Sequence, residues 1–130
     1  MLCSLSAIGQ KIAPTAVPKA VSEVFIKDFP GIMAEWELRN GQYVATFEQN
    51  KYNMQTVYDK NGRRLETHVT IADTELPAPA LEYLKSHQSA DVTEATKIIM
   101  ANDQVSFKVL SGGQYLEFDA KGNYRRSMNK

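Results

Sequence analysis

One short pattern occurs twice in this chain and constrains it more than anything else. Val57-Tyr58-Asp59-Lys60-Asn61-Gly62-Arg63 returns, sixty residues later, as Leu116-Glu117-Phe118-Asp119-Ala120-Lys121-Gly122-Asn123. Each copy brings an aromatic residue to the end of an extended run and follows it with Asp-x-x-Gly. The Asp side chain can accept from the backbone ahead of it, and Gly takes the positive-φ position that other residues resist. Each copy is therefore predicted to be a strand, a tight turn and a returning strand.

The segments around the two copies recur in the same order. Pro18 suits the first turn of a helix, and Val21, Val24, Phe25 and Phe29 follow at helical spacing before Phe29-Pro30-Gly31 stops it. Extended runs are expected over 32–39, 42–48, 53–59 and 63–71, with Asn40-Gly41 as a hairpin turn between the first two. Leu76-Pro77 then opens a second helix with Leu81 and Leu84 on its apolar stripe. Runs over 92–100, 104–110, 113–119 and 123–128 complete the second set, with Asn102-Asp103 taken as the counterpart of Asn40-Gly41. The fold class expected is α+β: two tandem α-β-β-β-β repeats forming one curved antiparallel sheet of about eight strands, with both helices on one face. Residues 15–130 make a single domain, with repeat one at 15–73 and repeat two at 74–130. Residues 1–14 read either as the remnant of an export signal, with Ala7-x-Gly9 resembling a cleavage site, or as a flexible N-terminus.

Composition excludes several classes of function. The 130 residues carry 15 basic and 15 acidic side chains, so no net charge steers the chain toward nucleic acid or an anionic membrane. No apolar run is long enough for a membrane helix. The single cysteine, Cys3, allows neither an internal disulfide nor a cysteine-based metal site. His68 and His87 lie in different halves without acidic partners at ligand spacing, so no metal is expected. Asp59-Lys60-Asn61-Gly62 lacks the length and closing Glu of a calcium loop. Ser111-Gly112-Gly113 lacks the strand-to-helix setting of a nucleophile elbow, and no Gly-rich phosphate loop precedes a helix. No catalytic residue and no cofactor are assigned.

Strand alternation sorts the remaining residues by face. Trp36, Leu38, Tyr43, Ala45, Phe47, Tyr58 and Leu65 are expected beneath the helices, with Ile98, Met100, Val105, Phe107, Val109, Leu116 and Phe118 as their second-half partners. The opposite face then shows Glu35, Glu37, Val44, Val57, Arg64, Glu66 and His68, and later Lys97, Ile99, Lys108, Tyr115 and Glu117. From it the candidate partner-binding set is Glu35, Glu37, Arg64, Glu66, His68, Lys97, Lys108 and Tyr115. An antiparallel sheet can leave such a face in water, and an exposed tyrosine makes a good interface anchor.

The helix-then-four-strands order given twice, Pro18, Phe29-Pro30, Trp36-Glu37 and the aromatic-Asp-x-x-Gly turns resemble the PepSY-like family, whose domains resemble the beta-lactamase inhibitor protein in fold. The resemblance runs from about Thr15 to the end. The second half departs from it, with Gln88-Ser89 where Phe-Pro would stand and Ala95-Thr96 or nearby residues in place of Trp-Glu. It implies a periplasmic or secreted, non-enzymatic domain and lends no catalytic or inhibitory residue. The expected function is a binding module, possible as an inhibitor, that grips a protein or peptide of the cell envelope through the open sheet face. The alternative is a small-ligand carrier or sensor. A monomer or weak homodimer is expected, since the terminal strands leave free edges.

Overall fold

The computed structural model describes residues 9–87 and 91–129. The described residues form an α+β fold with two α-helices and nine strands, paired in antiparallel ladders. It divides into two compact units, residues 1–67 and 68–130.

In unit 1, β1 (Gln10–Ile12) is followed by a 3-10 turn, helix α1 (Lys19–Asp28), β2 (Glu35–Arg39), β3 (Gln42–Gln49) and β4 (Tyr52–Tyr58). Strand β5 (Arg64–Ile71) begins in this unit and continues past its boundary. Helix α1 starts where the Pro18 carbonyl accepts from Val21 and Ser22 N–H groups, and it buries Val21 and Phe25, one turn apart. These two pack with Val17, Trp36, Ala45, Phe47 and Tyr58. Four aromatic rings meet there, with Phe25 5.3 Å from both Trp36 and Phe47, and Phe29 4.6 Å from Phe47. Such offset and edge-on contacts add to what area burial alone contributes.

Unit 2 contains a 3-10 turn at Asp73–Glu75, helix α2 (Ala78–His87), β6 (Val92–Met100), β7 (Val105–Ser111), β8 (Gln114–Asp119) and β9 (Tyr124–Asn129). Its core joins Leu76, Ala80 and Leu84 to Ala95, Phe107, Val109, Leu116 and Phe118.

Both Asp-x-x-Gly turns form as expected, by the same bonds. Asp59 Oδ1 accepts from the N–H groups of Asn61 and Arg63 at 2.9 and 3.0 Å, and Asp119 Oδ1 accepts from Lys121 and Asn123 at 2.9 Å each. Gly62 and Gly122 have φ of 87° and 93°. Backbone bonds from several N–H groups hold the Asp119 carboxyl below its ordinary range, those of Asn123 contributing most.

The strands depart from the sequence expectation at four places. Gln10–Ile12 forms a strand against Leu38, Glu37 and Trp36, ahead of the expected start at Thr15. The reading of 1–14 as a signal remnant falls partly on residues 1–8, outside the described residues, as does Gln88-Ser89.

The second departure concerns β6. Lys97 pairs with Phe107 and Ile99 with Val105, so both lie on the α2 side, while Thr96 and Ile98 lie opposite. Ile98 and Met100 were expected on the helix side. The cause is the hairpin loop. Met100 N–H donates to Gln104 O, Asp103 N–H donates to Met100 O, and Asp103 adopts φ 69°, which makes a three-residue loop. The two-residue Asn-Gly pattern of the first half therefore does not transfer, and one added residue reverses every side chain on the strand.

The third departure is Arg64, which was expected on the open face but bonds to Asp28 of α1 at 3.6 Å. Thr67, buried beside Thr56 at 3.5 Å, lies on that same side. Two residues three apart share a face only where the alternation is interrupted, so β5 is irregular between Arg64 and Thr67. In β9 the register shifts likewise between Phe118↔Tyr124 and Glu117↔Arg126.

The fourth is Val44, assigned to the open face and found only 1% exposed.

Candidate functional site

The candidate site is the helix-free side of the strands, which differs between the units. In unit 1, Glu37, Val44 and Val57 form one cross-strand row and Glu35, Thr46 and Gln55 the next. Glu37 is held by an ion pair with Arg39, and both are largely covered. The backbone of Gly9 runs against this pair, close enough that a Cβ there would lie 2.9 Å from Glu37 Cδ. Val44, between Glu37 and Val57 in its row, is also buried. Glu35 remains exposed at the margin. Glu66 and His68 flank the buried Thr67 on β5 and so point away from α1, each half-buried and in contact with neighbours.

Unit 2 presents a more accessible surface. Lys108, Glu117 and Arg126 form one cross-strand row, and Leu110, Tyr115 and Met128 the next. Lys108 Nζ lies 4.9 Å from the Tyr115 ring centroid, a cation–π contact that restrains both side chains. Arg126 Nε donates to Glu117 Oε1 at 2.6 Å. Beside them Met100, Ser106, Glu117, Asp119 and Arg125 line a hollow of about 400 Å³. The surface thus offers an aromatic ring, an adjoining apolar Met, cations and carboxylates, arranged in order rather than converging on one point.

Of the eight candidate residues, the structure brings Lys108 and Tyr115 together and puts Glu66 and His68 on one side of one strand. Arg64 and Lys97 lie on the helix sides of their units and leave the set. Glu117, Arg126 and Met128 join it. The bulge that brings Arg126 opposite Glu117 follows the Asp119 turn, and nothing in the residue types of Asn123-Tyr124-Arg125-Arg126 marks it.

Titration singles out one other group. Burial, then the Asp28 carboxylate, push the Tyr58 phenol far above its ordinary value, so it stays protonated. Its hydroxyl is buried, with the Asp28 carboxylate close by. It lies in the unit 1 core. Among the described residues, no group of three or more His, Cys, Asp or Glu side chains is placed to hold a metal. No helix there is long and apolar enough to cross a membrane.

No family model and no curated protein matches the sequence. Solved structures do match. A BLIP-like protein from Bacteroides fragilis superposes with a TM-score of 0.75 at 20% identity, over 86% of this chain and 86% of that one. The fold is BLIP-like. A DUF2874 family protein from Bacteroides uniformis gives 0.81 at 18% identity, over 86% and 88% of the two chains. A proposed periplasmic protein from Bacteroides eggerthii gives 0.80 at 19% identity, over 87% and 88%. The BLIP-like fold thus agrees with the fold implied by the sequence resemblance.

Proposed function

We propose that this BLIP-like domain is a non-enzymatic binding module of the cell envelope, periplasmic or secreted, which recognises a protein or peptide in the manner of an inhibitor. It acts as a monomer or weak homodimer, belongs with PepSY-like domains, and its two units are copies of one motif. The observation that carries this reading is the restrained array on the helix-free side of unit 2. Lys108 over Tyr115, with the Glu117–Arg126 pair in adjacent positions, presents an anchor and charges already ordered. Side chains ordered before contact reduce the entropy lost on association. Glu35, Glu66 and His68 extend the proposed surface within their own strands. The description of the Bacteroides eggerthii neighbour supports the location.

The test is affinity capture from envelope extract with the full chain, alongside a Lys108→Glu/Tyr115→Ala variant shown by circular dichroism to be folded. A protein retained by the native chain and lost with the variant is expected. Equal retention by both would overturn the assignment to this surface.

A further inference from the structure

Charge on the helix-free side of unit 2 is balanced in number but not in availability. Glu94, Glu117 and Asp119 stand against Lys108, Arg125 and Arg126. Two of these carboxylates are engaged. Glu117 accepts from Arg126 Nε at 2.6 Å, while Asp119 accepts through Oδ1 from the Lys121 and Asn123 N–H groups and through Oδ2 from the Asn123 side chain. Lys108 and Arg125, by contrast, hold no ion pair among the described residues. Lys108 rests on the Tyr115 ring, a contact that leaves its ammonium protons able to donate elsewhere. The remaining carboxylate, Glu94, is exposed beside Leu110, one row from Lys108 and three strands from Arg125.

These groups are set out in rows across β7, β8 and β9. Leu110, Tyr115 and Met128 make an apolar row, and Lys108 heads the next, beside the closed Glu117–Arg126 pair. Past that row lies the hollow of about 400 Å³ lined by Met100, Val105 and Arg125. Successive rows are two residues apart along a strand, about 7 Å, which is also the spacing of alternate side chains on an extended peptide. A segment laid along the strands therefore meets the apolar row, Lys108 and the hollow with every second side chain. A carboxylate at the middle position gains a charge-assisted bond from Lys108. A Glu at the third position covers Met100 and Val105 with its methylenes and brings its carboxylate to Arg125. A Lys or Arg at either position would meet a like charge.

We infer that the partner is gripped through an extended acidic segment, with one apolar residue and two carboxylates at alternate positions. The inference rests on the partner surface proposed above and adds the chemistry of what that surface recognises.

The probes are the end-blocked peptide Ser-Leu-Ser-Glu-Ser-Glu-Ser and its reverse, titrated into the full 15N-labelled chain at low salt. Versions with both Glu replaced by Lys or by Gln are the controls. Saturable amide shifts over residues 106–110, 115–117 and 125–128 are expected from a Glu peptide, with weaker binding of its Gln version and none of its Lys version. A Lys108→Gln/Arg125→Gln variant, shown by circular dichroism to be folded, should bind the Glu peptide about tenfold more weakly, two modest charge interactions having been removed. The inference is overturned if neither Glu peptide saturates, if the Gln or Lys version binds as tightly, or if the double variant keeps full affinity. Capture from envelope extract separates this failure from that of the surface. A protein still lost with Lys108→Glu/Tyr115→Ala, while the peptides show no charge preference, removes the acidic segment and leaves the surface standing. Capture indifferent to that variant removes the surface, and this inference with it.

Discussion

Replacing Gly62 with Ala tests how α1 is seated. Gly62 has φ +87°, and a Cβ on it would lie 2.5 Å from the Ala20 carbonyl oxygen and 2.9 Å from the carbonyl carbon of the same residue. Two costs follow. The left-handed backbone costs an L-residue about 1–2 kcal/mol. The overlap is with backbone rather than with a flexible side-chain end, so the helix or the turn must shift, as in an overpacked core, for roughly another 1–3 kcal/mol. Gly41 separates these contributions. Its φ is +77°, yet a Cβ there would have nothing within 4 Å. Gly41→Ala should therefore show the backbone cost alone, and Gly62→Ala should exceed it by about 2 kcal/mol. Urea unfolding of the two variants and the native chain, followed by far-UV circular dichroism, measures the difference. A slope unchanged among the three keeps the comparison valid. If Gly62→Ala costs no more than Gly41→Ala, the Asp59 turn does not abut α1, and the packing described for unit 1 is wrong.

Two further predictions concern the second turn and the proposed surface. The Asp119 carboxyl is held below its ordinary value chiefly by bonds from the Asn123 backbone, so it favours the folded state above the unfolded pKa of 3.8. That contribution disappears as pH falls through the lower folded-state value. Asp119→Asn should therefore flatten the acid limb of a stability-against-pH curve, and an unchanged limb would count against these bonds. Lys108→Gln removes a partly exposed cation–π contact of about 0.5–1 kcal/mol, so thermal melting should move only slightly while partner capture weakens. A large drop in melting temperature would instead make Lys108 a structural residue.

What could be read from the sequence was local. The Asp-x-x-Gly turns carry their own hydrogen-bond logic within five residues, and Asn40-Gly41 forms the expected turn with φ of 52° and 77°. The helix stripes at Val21 and Phe25, and at Leu84, are likewise set by spacing alone. Whatever depended on counting past an irregularity was lost. One extra loop residue before Val105 turned Lys97 toward α2, and Arg64, directly after the Asp59–Arg63 closing pair of its turn, points toward Asp28. Strand β1 is three residues long and has no alternation to reveal it. Val44 is apolar on a side chosen for its polar neighbours, and its burial depends on contacts distant in sequence. Lys108 and Tyr115 were recoverable because β7 and β8 keep their register from Ser106↔Asp119 to Ser111↔Gln114 without interruption.

The seats of the two turn glycines also bear on the order of assembly. Gly62 lies against Ala20 of α1, and Gly122 lies against Ala80 of α2 and Pro77 just ahead of it. Each contact closes about forty residues of chain, a loop whose entropic cost must be met before packing rewards it. During synthesis each helix leaves the ribosome well before the turn it rests against, and its apolar stripe has no seat until that turn arrives. The interval between the two events is when each unit is most exposed to wrong partners.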